Sequence, residues 1–149
     1  MTQIIEKIYI GGSVSLNIKF LKENGITHIL NCAEEIDVIK EIEQDFTYQK
    51  IPILHKIFPR GYHSFESHLE FITQAIGSEE SKNKILVNCA NGQSRSVGVV
   101  VAYFIKNRCI EMDGAVKEIA AKRFVMLGMD DKIQLQNYAA SQSVKNIWV

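Results

Sequence analysis

The sequence predicts an α/β fold, a single domain on a central mixed, largely parallel sheet flanked by helices. Short β-rich runs at residues 7–10, 27–32, 47–53 and 85–88 alternate with longer stretches of helical periodicity. A chain of 149 residues can bury roughly 70% of its unfolded surface, enough for one real core. No Pro/Gly/Ser-rich linker, charge block or repeat divides it, and its prolines are Pro52 and Pro59, so the domain is expected to run over 1–149.

Each element has its own local reason. After the first strand, a helix over about 15–23 should end at Gly25, where a left-handed residue is wanted. Phe65, Leu69, Ile72 and Ile76 share one helical face, and Met112, Ala115, Val116, Ile119 and Ala120 share another; both stripes read as core. Between them, residues 95–107 are apolar nearly all round, the pattern of a central buried helix. A last helix should begin near Asp130 or Asp131, with either carboxylate as its cap.

Bulk properties narrow the functional classes. Seventeen basic against seventeen acidic residues leave no global field for nucleic acid or an anionic membrane, so anion recognition must be local. Cys32, Cys89 and Cys109 are an odd number at irregular spacing, which suits a reducing compartment, the cytoplasm or the nucleus. The first residues lack the pattern of a signal peptide, Thr2 disfavours N-myristoylation and the last four residues form no prenylation box. The most apolar stretch, residues 97–105, is far short of the ~20 residues that span a bilayer.

The informative segment is KILVNCANGQSRSVGVVVAYF. It reads as a short strand, then Cys89-Ala90-Asn91-Gly92-Gln93-Ser94-Arg95, then Ser96 and the buried helix. A loop of this length can curl so that successive backbone N–H groups face a phosphate, with the helix terminus adding its positive end. Gly92 permits the backbone angles that curling demands. The guanidinium of Arg95 can grip two phosphate oxygens at once. The same donors would stabilise a Cys89 thiolate, the form that attacks phosphorus to give a phosphocysteine. Ser96 is placed to hydrogen-bond the sulfur as it leaves. The bland alternative is a structural cysteine beside a surface arginine.

Residues 87–123 resemble the signature half of the dual-specificity branch of the cysteine-dependent protein tyrosine phosphatases. IYIGGSVSLNIKFLKENGITHILNCAEE resembles that family's first strand, first helix and second strand, and IQLQNY its final helix. The resemblance implies a protein tyrosine phosphatase-like sheet, a shallow cleft for phosphotyrosine and phosphoserine or phosphothreonine, no metal and no cofactor. It also implies catalytic Cys89 and Arg95.

Two positions depart from the pattern. The family's histidine before the nucleophile is Asn88 here, which predicts a less acidic thiol. Its general-acid aspartate falls where this chain has His55, within Ile51-Pro52-Ile53-Leu54-His55. His55 is a candidate proton donor, since an ordinary imidazole titrates near 6.5; the alternative is an idle loop residue. His28, His63 and His68 share no metal-ligand spacing. Cys109 reads as a packing residue. Cys32 reads as a half-buried strand residue, with a disulfide trap for oxidised Cys89 as the alternative.

The sequence therefore predicts a monomeric protein phosphatase with an atypical acid step, acting on phosphoproteins, with phosphate, sulfate or another oxyanion able to occupy residues 90–95. It needs neither nucleic acid nor membrane. The alternatives are a phosphate-binding pseudophosphatase or a phosphatase of a phosphoinositide, a glucan or an RNA 5′ end. Neutral Ala90, Asn91, Gly92, Gln93 and Ser94 argue against the lipid, although Lys56 and Arg60 allow a small basic patch nearby.

Overall fold

The computed structural model describes residues 1–54 and 66–147, with side chains to residue 143. Five strands, β1 (Thr2–Ile5), β2 (Ile8–Gly11), β3 (His28–Asn31), β4 (Thr47–Lys50) and β5 (Ile85–Asn88), form one sheet in the order β1-β2-β5-β3-β4. β2, β5, β3 and β4 run parallel, and β1 pairs antiparallel with β2. The helices are α1 (Ile18–Glu23), α2 (Lys40–Asp45), α3 (Glu66–Ile76), α4 (Arg95–Arg108), α5 (Met112–Ala120) and α6 (Met129–Ile147). The mixed, largely parallel sheet expected from the sequence is thus present.

Alternation along the strands sorts side chains to two faces. Ile8, Ile10, Leu30, Ile85 and Val87 join the larger core with α3, α4, α5 and α6. Tyr9, Ile29 and Leu86 face the other way, against Leu21 of α1 and Ile42 of α2. At the centre of the larger core lies α4, where Val97, Val99, Val100, Val101, Ala102 and Phe104 are fully buried. Burial of each larger apolar chain contributes about 1.5–3 kcal/mol, so α4 is the rigid platform from which the preceding loop hangs.

Local details depart from the sequence reading. β1 and α2 are additions. α1 starts at Ile18, with Asn17 Oδ1 accepting the Phe20 N–H at 3.0 Å as its cap, after a 3-10 turn over Ser13–Ser15. Gly25 does take the left-handed conformation, at φ 73°. α6 begins at Met129, so Asp130 and Asp131 lie in its first turn, where carboxylates meet the positive helix end. Cys109 is exposed and forms the left-handed cap of α4 at φ 52°, so it does not pack in the core.

All four parallel strands end on the same side. The register aligns Gly11 with Asn88 and Asn88 with Asn31, so the segments after β2, β5, β3 and β4 converge at one edge. Ligands of open α/β sheets bind at such carboxyl ends.

Phe104 tests the platform. Phe104→Ala is expected to lower stability by about 3–5 kcal/mol through the cavity it leaves, read as a fall in the urea midpoint at unchanged slope. Val14→Ser, at a position 91% exposed, should stay within about 0.5 kcal/mol.

Candidate active site

The loop between β5 and α4 is shaped by what happens to its carbonyl groups. The Ala90 carbonyl accepts the Ser13 N–H at 2.9 Å, and the Gln93 carbonyl accepts the Met126 N–H at 2.8 Å. Arg123 takes the two between, its Nε–H donating to the Gly92 carbonyl at 2.7 Å and its Nη2 to the Asn91 carbonyl at 3.0 Å. Arg123 is itself tied to the Thr2 hydroxyl through Nη1 at 2.9 Å. With its carbonyls bonded outward, the loop is free to turn N–H groups inward.

Cys89 receives them. Its sulfur accepts the Gly92 N–H at 3.3 Å and lies 3.2 Å from Ser96 Oγ, whose hydroxyl donates to the thiolate form. Burial alone would push this thiol up, but the Ser96 hydroxyl and the N–H groups of Ser96, Gly92 and Ser94 outweigh it and hold Cys89 below the ordinary thiol value. Asn88 plays no direct part in this. Its side chain is fully buried and donates to Asn31 Oδ1 at 3.2 Å. The less acidic thiol expected of Asn88 is therefore offset by Ser96 and by the loop N–H groups that the sequence already offers to a thiolate.

Two glycines make this packing possible. Gly92 adopts φ 66°, and a Cβ there would also meet Arg123 Nη2 at 2.5 Å and the Gly11 carbonyl carbon at 2.7 Å. At Gly12, a Cβ would sit 2.7 Å from the Ala90 carbonyl oxygen. The glycine pair at the end of β2 is a floor on which the loop rests.

Arg95 opens α4. Its Nη1 donates to Glu35 Oε2 at 2.7 Å and to the Ile53 carbonyl at 2.8 Å, and its Nη2 donates to Glu35 Oε1. The Glu35 carboxylate is the main reason its basicity rises further, and the nearby Cys89 sulfur adds to it. Among the described residues, the structure brings together Cys89, Ala90, Asn91, Gly92, Gln93, Ser94, Arg95 and Ser96. His55 lies outside the described residues, as do Lys56, Arg60 and His63.

With the geometry in place, comparison with known proteins is decisive. The model of the dual specificity phosphatase catalytic domain matches residues 8–140. The chain belongs to the dual specificity phosphatase family. Dual specificity protein phosphatase 1B of Arabidopsis thaliana is 32% identical over 124 residues, covering 83% of this chain and 71% of that protein. Human dual specificity protein phosphatase 9 is 31% identical over 81% of this chain, which spans only 31% of that protein's length. The crystal structure of human DUSP28 superposes with a TM-score of 0.85 at 17% identity, covering 97% of this chain and 99% of that one, and shares the fold.

Other residues acquire places within this phosphatase fold. Cys32, fully buried, follows β3 beside Cys89, and its N–H donates to the Asn88 carbonyl at 2.7 Å. Burial, reinforced by the charge on Cys89, pushes its thiol well up, so the two sulfurs ionise in very different ranges. His28 lies in β3 and His68 in α3, where its Nδ1 is 3.0 Å from Gln49 Nε2. Glu35 and Arg123 escaped the sequence reading because their loop partners lie 60 and 31 residues away. The Gly11–Gly12 pair was the one brace with a local signal.

Ser96→Ala removes the side-chain hydrogen bond that lowers the Cys89 pKa. The pH dependence of Cys89 alkylation by iodoacetate should move to higher pH, because deprotonation then occurs later; an unmoved profile would show that the backbone N–H groups suffice.

Proposed function

We propose that this chain is a protein phosphatase that hydrolyses phosphotyrosine, and phosphoserine and phosphothreonine more slowly, through a phosphocysteine on Cys89. One observation carries the reading. A cysteine with a lowered pKa sits at the centre of inward N–H donors, with Arg95 on the first turn of the following helix. Family membership supports a phosphoprotein substrate, and the neutral residues 90–94 favour a monoester over a polyanionic lipid headgroup.

The steps follow from these positions. The loop N–H groups and the Arg95 guanidinium take the three non-bridging phosphate oxygens. The Cys89 thiolate attacks phosphorus in line, the bond to the substrate oxygen breaks, and that oxygen leaves with a proton from a donor beside the site. Water then attacks the phosphocysteine and the S–P bond breaks. The Ser96 hydroxyl stabilises the departing thiolate, and inorganic phosphate is released. His55 is our candidate for the proton donor. In the sequence it follows two residues after Ile53, whose carbonyl accepts from both Arg95 and the Glu34 N–H. An odd cysteine count supports a reducing setting, in the cytoplasm or nucleus, where Cys89 stays a nucleophile, and a monomer suffices for these steps.

Cys89→Ser should abolish turnover of p-nitrophenyl phosphate, and Arg95→Lys should lower kcat/KM by about 100-fold, since lysine cannot grip two oxygens. Turnover that survives in Cys89→Ser would end this reading.

The proton donor is tested with leaving groups of different basicity. Loss of a general acid costs ~10²–10⁴ in rate where the leaving oxygen is basic, so His55→Ala should slow phosphoserine peptides far more than aryl phosphates. Equal losses on both, or none, would remove His55 from the mechanism.

A further inference from the structure

We propose that Glu35 is a positioning residue for Arg95. It holds one edge of the guanidinium so that the opposite edge presents a ready fork to phosphate. This rests on Arg95 being the phosphate clamp of the proposed function.

The donor count makes the case. An arginine has five N–H groups in a fixed plane. Nη1 uses both of its own, on Glu35 Oε2 and on the Ile53 carbonyl, and Nη2 uses one on Glu35 Oε1. The Nε–H and the second Nη2–H have no partner among the described residues. They are adjacent, on the edge away from Glu35, and match two phosphate oxygens as the first edge matches two carboxylate oxygens. Carboxylate and phosphate can therefore bind the same guanidinium together. The Arg95 side chain is only 14% exposed, so turning it away would leave the guanidinium without its carboxylate in a poorly solvated place.

Glu35 is itself held. Asn31, fully buried at the end of β3, organises the segment after it: its Oδ1 accepts the Ala33 N–H at 3.1 Å, and its Nδ2 donates to the Ile36 carbonyl at 2.7 Å and the Tyr48 hydroxyl at 3.1 Å. The Glu34 N–H donates to the Ile53 carbonyl at 3.1 Å, and Lys50 Nζ donates to the Glu34 carbonyl at 2.8 Å. Asn88 completes the set through Asn31. The backbone on either side of Glu35 is thus pinned to β3, β4 and β5, and the carboxylate reaches Arg95 from a fixed base. The carboxylate offsets part of the Arg95 charge, but at 44% exposure it is well screened. An aimed fork spares the phosphate the cost of ordering a long, rotamer-rich side chain.

The test needs no turnover, so it stands apart from the test of the proposed activity. In a Cys109→Ser background, which removes the exposed thiol, inorganic phosphate is titrated as a protector of Cys89 against iodoacetamide, a neutral reagent that makes no claim on the Arg95 fork. Glu35→Ala should weaken protection by about 10-fold, Glu35→Gln by less, while the phosphate-free alkylation rate stays the same, because the sulfur's donors lie in the loop. In an Arg95→Lys background, Glu35→Ala should change protection by less than about twofold. Unchanged or tighter phosphate binding in Glu35→Ala would overturn the proposal, making the carboxylate a bystander or a competitor. So would an equal loss in the Arg95→Lys background, or a matching change in phosphate-free alkylation, either of which would mean a disturbed loop.

Discussion

The site depends on one constraint, the outward bonding of the loop carbonyls of Ala90, Asn91, Gly92 and Gln93. A peptide unit whose carbonyl is committed on one side presents its N–H toward the other. Four successive commitments turn a flexible segment into a cup of donors, and this cup is what lets a buried sulfur ionise. The tethers come from the end of β2, through Ser13, and from the segment after α5, through Arg123 and Met126. Both lie far from Cys89 in sequence, and the sheet and α4 bring them within hydrogen-bonding distance. The fold therefore acts on the chemistry chiefly by fixing the direction of four carbonyl groups.

Thiol activation and arginine aim are served by separate groups. The sulfur is held by Ser96 and by the N–H groups of Gly92, Ser94 and Ser96. Arg95 is held by Glu35 and Ile53. Asn88, the departure from the family pattern next to the nucleophile, belongs to the second set, since it bonds Asn31 and through it the segment that carries Glu35. Its Oδ1 is buried without a hydrogen-bond partner among the described residues, an unfavourable element at the base of the site. The polar pair of Asn31 and Asn88 spans two parallel strands at their last paired residues, the level at which backbone pairing gives way to loop.

What the sequence made legible was local. The β5, loop and α4 unit is contiguous, and its apolar helix, its glycine and its Cys-to-Arg spacing can be read without knowing what packs on it. β1 escaped because the turn at Glu6 and Lys7 has no glycine or asparagine to mark it, and α2 because only Ile42 of its six residues is buried. Cys109 looked apolar beside a buried helix, yet the helix ends there, and the left-handed cap points it to solvent. Glu35 sits in a run of acidic residues, Glu34, Glu35 and Asp37, that reads as a solvated surface. Only the register of β3 against β5 shows that one of the three faces Arg95.

That register also explains why Arg95 needs a partner. Its backbone, in the first turn of α4, is anchored by one of the most buried helices of the molecule, and Ser96 beside it is fully buried. The backbone is therefore fixed, while the long side chain has several rotatable bonds of its own. Burial of the helix can place the Cα but cannot orient the guanidinium plane, and a planar fork is useful only when oriented. A carboxylate on the neighbouring strand's loop, at the height where all four parallel strands end, supplies the missing orientation with a second fork of the same geometry. Lysine at 95 would leave Glu35 a point charge to meet and nothing to orient, so the two positions act as one device.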